Sequence, residues 1–341
     1  MRAALISVTE RGAALSAELA DLGVCACVRY AHEAHADAIA VPFSSVYDVT
    51  AELFVAYDAL VYIGAAGIAV RAIAPHIRSK AADPAVLVID EQGRFVIPVL
   101  SGHLGGANAL AEAIAAKLGA VPVITTATDI GGRFSPDSFA AANFLHITDL
   151  SAAKAVAAAV LAGEPIGLVS DFPFENCPPE LHPGENCRVG LCIGYDTEKK
   201  PFPVTLSLVP QDLVLGIGCR RGVSAAQIAE QVERSGIPLE RVRIVSTIDR
   251  KADEPGLLAF CREQRLKLVT CTAAVLAKVA GAFRGSDFVQ ETIGVDNVCE
   301  RSAVCVSGGA LVYPKCAGNG VTCAAAACEI RLDFAKRRDI S

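Results

Sequence analysis

A polar, glycine-rich segment at residues 101–108 carries the residue types that hydrolysis of an ester needs. Its histidine, His103, can act as a general base near neutral pH. The backbone amides of its glycines can donate hydrogen bonds to a developing oxyanion. The histidine could instead do no more than hold the shape of the loop. The residues of this segment that we assign to substrate binding are Ser101, Gly102, Gly105, Gly106 and Asn108.

A second polar segment follows at the distance of one helix. Residues 124–129 are an apolar run that ends in hydroxyls and a carboxylate, including Thr125, Thr126 and Asp129. The alanine-rich stretch between the two segments has apolar residues at helical spacing, and Gly119 closes it, so we predict a helix over 109–118. Ligands of open α/β sheets collect at the carboxyl ends of strands. We therefore expect one site built from both segments, with Asp129 as a partner of His103 or an alternative base.

An earlier glycine turn is a candidate for binding an anion. The predicted strand 59–63 runs into Gly64 and Gly67, and a helix start with free amides attracts negative charge. Arg71 lies one turn into that helix, where it could clamp a carboxylate. Lys80 follows in a polar stretch. The turn could equally be a plain strand-to-helix connection, and Arg71 an ordinary solvated residue.

A third glycine loop opens the last part of the chain. It carries Gly216 and Gly218 after a predicted strand, and we expect Ser224 to cap the helix that follows. The loop departs from a dinucleotide fingerprint, because Arg221 stands where the third glycine belongs. An anion-binding helix start reinforced by Arg220 and Arg221 is the better interpretation. Two neighbouring arginines suit a substrate with several carboxylates.

The pattern of strands and helices predicts the α/β class. We expect an N-terminal and a C-terminal α/β domain with open, mostly parallel sheets, joined by a small α/β middle module. The predicted divisions are 1–136, 137–210 and 211–335, with a charged tail at 336–341. Within them we predict a long helix over 141–161 with a break near Asp149, and a helix over 273–281. We also predict a helix from Gly294 that ends by Ser302, and a strand over 303–307.

The composition restricts the functional classes. Hydrophobic residues make up 52% and aromatic residues only 6%, which is typical of buried parallel strands. No run of about 18 uncharged apolar residues occurs, so we expect no membrane span, and the N-terminus does not resemble a signal peptide. The net charge is −6 without a long basic block, which argues against nucleic acid as a partner.

The chain has 13 cysteines without a C-x-x-C pair. Without a secretory context, we expect reduced core thiols rather than a disulfide framework. A zinc or iron–sulfur site from Cys177, Cys187 and Cys192 stays open, although the spacing fits no standard pattern. We expect no metal held by protein ligands alone.

Long motifs in both halves of the chain resemble one protein family. In the first half they are residues 79–90, 100–108 and 124–129; in the second they are 216–222, 294–300, Lys315 and 321–324. The chain is similar over nearly its whole length, least over 137–210, to the cobalamin biosynthesis protein CbiG family. These are the cobalt-precorrin-5A hydrolases of the anaerobic vitamin B12 pathway. The family's C-terminal domain also occurs as a stand-alone protein of the aerobic pathway.

The resemblance implies a cytoplasmic enzyme that opens the ring A acetate lactone of cobalt-precorrin-5A and releases acetaldehyde. His103 and Asp129 would be the catalytic pair, and Lys315 would bind substrate. Arg71, Lys80, Arg220 and Arg221 would hold the acetate and propionate arms. Cobalt arrives with the substrate, so we expect no separate cofactor. Neighbouring pathway enzymes and a second copy of the chain are possible partners.

Two other functional classes stay open. One is a carrier that protects an unstable corrinoid intermediate without chemistry. The other is a nucleotide-dependent enzyme that uses the Gly216 loop, against which the failed fingerprint counts.

Overall fold

The fold is described by a computed structural model that covers residues 1–79, 83–102, 105–125, 133–184, 186–286, 290–291 and 294–336. The described residues form three open sheets that follow one another along the chain, and one further sheet of two strands. The first two open sheets are mostly parallel, and the third combines two parallel with two antiparallel pairings. Helices pack on all three, as expected for the α/β class.

The first sheet has the strand order β3-β2-β1-β4-β5-β6-β7. Its strands are β1 (Arg2–Ser7), β2 (Ala26–His32), β3 (Val41–Phe43), β4 (Ala59–Ile63), β5 (Ala85–Ile89), β6 (Phe95–Leu100) and β7 (Val121–Pro122). Its helices are α1 (Glu10–Asp21), α2 (Val46–Ala56), α3 (Ala66–Ile73) and α4 (Ala107–Leu118), with a 3₁₀ turn at Ala74–His76. Both faces of the sheet are covered, because β4 and β5 are buried at every position.

One hairpin reverses the direction of this sheet. Strands β1 to β5 are parallel, whereas β6 is antiparallel to β5 and β7 is parallel to β6. The turn residues 91–94 make this reversal, with Asp90 accepting hydrogen bonds from the amides of Arg94 and Phe95. The carboxyl ends of β6 and β7 therefore lie at the opposite edge from those of β1 and β4.

The second sheet has the order β11-β9-β12-β13-β8. Its elements are α5 (Pro136–Ala142), β8 (Leu145–Ile147), α6 (Leu150–Ala162), β9 (Ile166–Ser170), β11 (Leu181–Pro183), β12 (Val189–Ile193) and β13 (Val204–Pro210). The predicted helix over 141–161 is broken as expected near Asp149, but its first part is a strand. Phe144 has a left-handed backbone (φ 53°), which ends α5, and β8 then pairs antiparallel with β13.

The third sheet has the order β16-β15-β14-β18-β17. Its strands are β14 (Leu213–Cys219), β15 (Val242–Ile248), β16 (Lys267–Cys271), β17 (Leu311–Gly318) and β18 (Val321–Ala327). Its helices are α7 (Ala225–Arg234), α8 (Pro255–Gln264), α9 (Ala273–Ala277) and α10 (Cys299–Ser307), with 3₁₀ turns at Leu239–Arg241 and Asp249–Lys251. Strands β14 to β16 are parallel, and β18 and β17 extend the sheet antiparallel.

Two predictions for this part of the chain are wrong. Residues 299–307 form one helix rather than a helix end and a strand, because the buried residues Cys299, Ser302 and Ala303 recur at helical spacing. The helix predicted over 273–281 ends at Ala277. The Arg301 guanidinium donates to the carbonyls of Leu276 (3.3 Å) and Val279 (2.8 Å), which replaces further helical turns.

The last described residues cross back to the second sheet. Strand β19 (Leu332–Asp333) pairs with β10 (Phe174–Glu175), and Leu332 belongs to the core of the middle module. The ring of Phe334 stacks on Phe139 with centroids 4.1 Å apart. The chain from 211 onward therefore contributes to two cores.

Two further features concern membranes and metals. No helix among the described residues is long and apolar enough to cross a bilayer. In the same part of the chain, no three His, Cys, Asp or Glu side chains are grouped so that they could hold a metal ion. None of the 13 cysteines forms a disulfide bond, Cys177, Cys187 and Cys192 included.

Candidate functional site

The loop from β6 to α4 folds back on the start of the helix. The carbonyls of Ser101 and Gly102 accept hydrogen bonds from the amides of Ala107 (3.2 Å) and Asn108 (3.0 Å). Ser101 has a left-handed backbone (φ 56°), which is strained for a residue with a Cβ, and Gly106 is left-handed as well (φ 86°). Strain of this kind concentrates at functional loops.

Close packing explains two of the loop's glycines. A Cβ on Gly102 would lie 2.8 Å from Oδ1 of the buried Asn108. A Cβ on Gly105 would collide with the Cβ of Ser101 and lie 2.7 Å from its carbonyl oxygen. Both glycines are therefore required by the geometry of the loop itself.

The amides of Gly102, Gly105 and Gly106 have no acceptor among the described residues. An oxyanion hole is built from backbone donors of this kind. The predicted catalytic residues His103 and Asp129 lie outside the described residues, and so do Lys80 and Thr126.

A neighbouring loop supports this one. The Ser101 hydroxyl donates to the carbonyl of Asp83 (3.0 Å), just before β5. The buried Asp83 carboxylate in turn accepts from the amide of Arg78, 3.0 Å from each oxygen. The two loops at this edge of the sheet are thus joined by hydrogen bonds in which the glycine amides take no part.

The ends of the two predicted segments lie at one edge of the sheet. Strands β6 and β7 are parallel, so Ser101 and the exposed Thr125 both follow carboxyl ends that point the same way. The two strand ends share a direction, and one site built from both segments stays a prediction.

The glycine turn after β4 lies at the opposite edge. Because β6 is antiparallel to β5, Gly64 and Gly67 lie at the opposite edge of the sheet from Ser101. The Arg71 guanidinium folds back toward Gly67, where a Cβ would lie 3.7 Å from Nη1. The structure therefore does not bring Gly64, Gly67 and Arg71 to the β6–α4 loop. Of these three residues, Gly64 lines a small apolar recess, together with Ile6, Val8, Tyr62, Ile63, Ala65 and Ile68.

Gly216 and Gly218 of the third sheet lie where a helix and a neighbouring strand leave no room for a side chain. A Cβ on Gly216 would collide with the carbonyl of Cys299, the first residue of α10. A Cβ on Gly218 would lie 2.6 Å from the Thr322 hydroxyl. The space beside Gly216 and Gly218, the two glycines of the predicted anion-binding loop, is occupied by the protein's own helix and strand.

The helix start after β14 already holds an anion of the protein. The amide of Gly222 donates to the buried carboxylate of Glu254 (2.8 Å), which also pairs with Lys251 (2.8 Å). The Lys251 ammonium, together with the Gly222 amide, holds the pKa of Glu254 below its ordinary value. Ser224 caps α7 in a capping box with Gln227, as predicted for Ser224. Little of this helix start remains for a ligand.

The arginines of that loop remain accessible. Arg220 and Arg221 are exposed, and neither forms an ion pair with a carboxylate in the described ranges. The Arg220 amide donates to the carbonyl of Gly320 (2.9 Å), which fixes the loop against the β17–β18 turn. Their positive charge is thus presented at the carboxyl edge of β14.

Lys315 belongs to a cluster that the sequence did not reveal. Its amide donates to the buried Glu300 carboxylate (2.7 Å), and Glu300 also accepts from the amide of Arg284 (2.8 Å). Arg284 lies in an irregular segment and was not among the predicted site residues. The available signal was the spacing of Asn297 and Glu300, which places two polar side chains together at the start of a helix.

Open sheets with glycine-rich turns at their strand ends place the chain among α/β proteins, which bind ligands at the carboxyl ends of strands. The family models identify it further. Residues 48–129 match the model "Cobalamin synthesis G N-terminal", and residues 213–326 match "Cobalamin synthesis G C-terminus". The chain belongs to the cobalamin synthesis G family.

Curated relatives agree with this assignment. The chain is 35% identical to a protein from Salmonella typhimurium named cobalt-precorrin-5A hydrolase, over 94% of this chain and 95% of that protein. It is 32% identical to a protein of the same name from Priestia megaterium, over 75% of this chain and 74% of that one. A solved structure of a cobalamin biosynthesis protein G homolog from Sulfolobus solfataricus is 23% identical, with a TM-score of 0.45, over 96% of this chain and 97% of that one.

Proposed function

We propose that this chain is a cobalt-precorrin-5A hydrolase that opens the ring A acetate lactone and releases acetaldehyde. The proposal is supported by the full-length match to relatives of that name. The observation in the structure that carries it is the strained β6–α4 loop, whose glycine amides have no acceptor among the described residues.

The first step is attack of water on the lactone carbonyl. The amides of Gly102, Gly105 and Gly106 stabilise the negative charge that develops on the carbonyl oxygen. His103 takes the proton from water, and Asp129 orients it or replaces it as the base. The ester C–O bond breaks to give the acetate carboxylate and an alcohol.

The second step breaks a carbon–carbon bond. Removal of the alcohol proton lets the oxygen form a carbonyl, and acetaldehyde leaves. The electron pair of the broken bond passes into the macrocycle, whose cobalt is part of the substrate and which acts as the electron sink. The proposal needs no further cofactor.

The acidic arms of the substrate require cations. Arg220, Arg221 and Lys315 are assigned to this role, since all three are accessible at the third sheet. Near the β6–α4 loop we keep four further residues as substrate-binding residues: Lys80, Asn108, Thr125 and Thr126. Arg71 lies at the other edge of the first sheet and has no part in the lactone-opening step. A cytoplasmic location, association with neighbouring pathway enzymes and a homodimer remain predictions.

An anaerobic assay with purified protein and cobalt-precorrin-5A tests the proposal against the carrier alternative. Acetaldehyde should form in one equivalent per substrate consumed, with the absorbance change of the macrocycle. Tight binding of substrate that is recovered unchanged would contradict the proposal and identify a carrier.

A further inference from the structure

A buried polar pair lies beneath the surface of the third sheet. Glu300 and Asn297 are each 1% exposed. The Asn297 side chain donates to Glu300 Oε2 (2.6 Å), and its own Oδ1 accepts from the Glu300 amide (2.9 Å). A buried carboxylate is expensive unless its acceptors are filled, so the groups that fill them are held firmly.

Those groups belong to two distant segments of the chain. Glu300 Oε2 accepts from the amide of Arg284, and Oε1 accepts from the amide of Lys315. Asn297 also donates to the Arg284 carbonyl (2.9 Å). The buried pair therefore holds the backbones of Arg284 and Lys315 next to each other, and none of its hydrogen bonds uses their charged groups.

Each of the two cationic side chains reaches the backbone carbonyl of the other residue. The Lys315 ammonium lies 3.3 Å from the Arg284 carbonyl, and the Arg284 guanidinium lies 3.4 Å from the Lys315 carbonyl. In the described part of the chain neither forms an ion pair with a carboxylate, since Glu300 is engaged by amides and the nearby Asp296 pairs with Arg301 (2.7 Å). Two adjacent cations without an ion-pair partner among the described residues are relieved of mutual repulsion when an anion binds.

The pair lies toward the edge that presents Arg220. Helix α10 begins beside Gly218. A Cβ added to Gly218 would lie 3.8 Å from Val298, the residue before the helix. The β17–β18 turn, which starts four residues after Lys315, contacts the Arg220 backbone. This is the carboxyl edge of the parallel strands, where α/β sheets bind ligands.

We propose that Arg284 and Lys315 together form a carboxylate-binding site for an acidic arm of the tetrapyrrole substrate, positioned by the buried pair Glu300–Asn297. The site rests on the proposed function for the identity of the ligand. It adds Arg284 as a binding residue, and Glu300 and Asn297 as positioning residues.

The structure separates this role from a structural one. Arg284 supports the fold through the buried hydrogen bonds of its amide and carbonyl, which remain in Arg284→Gln. The substitution removes the positive charge and the exposed hydrogen bond from the guanidinium to the Lys315 carbonyl. The variant should keep the stability of the wild type and bind a metal-free octacarboxylate porphyrin about three- to tenfold more weakly. Lys315→Gln should weaken porphyrin binding to a similar extent, and Arg284→Lys should keep part of the affinity that Arg284→Gln loses. Arg262→Gln, which removes an exposed arginine from α8, is the matched control.

Equilibrium dialysis of the porphyrin and steady-state kinetics with cobalt-precorrin-5A provide the readouts. We expect KM to rise with kcat nearly unchanged, because the arm is held equally in the ground and transition states. Wild-type affinity and KM in Arg284→Gln would overturn the inference and leave the hydrolase intact. If the wild type releases no acetaldehyde but Arg284→Gln still binds the porphyrin more weakly, the carboxylate-binding site stands and the hydrolase proposal is overturned.

Discussion

At the scale of residues, the β6–α4 loop depends on contacts between side chains and glycines. The sequence predicted a glycine loop with donors for an oxyanion, and those donors have no acceptor among the described residues. It did not predict that Ser101 occupies the space beside Gly105, or that Asn108 fills the space beside Gly102. Such contacts depend on how the loop folds back, which composition and spacing do not specify.

Gly105→Ala tests this packing. The added methyl group collides with Ser101 and must displace the loop, so the free energy of unfolding should fall by about 1–3 kcal/mol. Acetaldehyde release should fall about 100-fold, because small displacements of catalytic donors are costly. Gly163→Ala strains a helix end (φ 73°) with open space around it, and should lose stability without losing rate. Equal rates in both variants would show that the loop is not catalytic.

The lowered pKa of Glu254 makes the stability of the fold depend on pH in the acidic range. Its folded pKa is lowered by Lys251 and by the Gly222 amide, so the stabilisation is complete above the unfolded pKa. It is lost as the pH falls through the lower, folded pKa. In Glu254→Gln the melting temperature should therefore depend less on pH below the ordinary glutamate pKa. Thermal melts from pH 7 to pH 3 measure this, with Glu263→Gln, an exposed position on the same helix, as control. An unchanged pH profile in Glu254→Gln would contradict the assignment.

At the scale of elements, most strands and helices follow from apolar spacing and glycine positions. The hairpin β5–β6 was predicted as well, but its consequence concerns the whole sheet. It turns β6 around, so the carboxyl ends of β4 and β6 lie at opposite edges and Gly64 is separated from Ser101. Helix α10 was missed because its short apolar run also fits a strand.

Gly216→Ala tests the packing of α10 on β14. The new methyl group meets the backbone of Cys299, which cannot rotate away, and we expect a loss of about 1–3 kcal/mol in chemical denaturation. Gly218→Ala is the matched comparison, because its contact is the rotatable Thr322 hydroxyl, and it should lose less. A larger loss in Gly218→Ala would refute this account of the two glycines.

At the scale of the whole molecule, the chain does not divide into three independent stretches. Composition and linker signals predicted boundaries, but pairing of β19 with β10 joins positions more than 150 residues apart, and local pattern does not encode such contacts. The return of Leu332 and Phe334 to the middle module couples its stability to the end of the chain.

Phe334→Ala measures this coupling. Phe334 is half-buried and contacts Phe134, Phe139 and Phe174, so truncation should reduce the free energy of unfolding by about 2–3 kcal/mol. Phe95→Ala removes an exposed phenylalanine (40%) and should lose less than about 1 kcal/mol. Urea denaturation provides both values. Equal losses would mean that the returning segment does not stabilise the middle module.

The most direct test of the central claim compares acetaldehyde release by the wild type, His103→Ala and His146→Ala under anaerobic conditions. His146 is an exposed histidine of the middle module and serves as the control. Lactone opening at the β6–α4 loop predicts release by the wild type and His146→Ala, and a loss of about 100-fold or more in His103→Ala, since general base catalysis contributes on that order. Full release by His103→Ala would contradict the claim that this loop supplies the base.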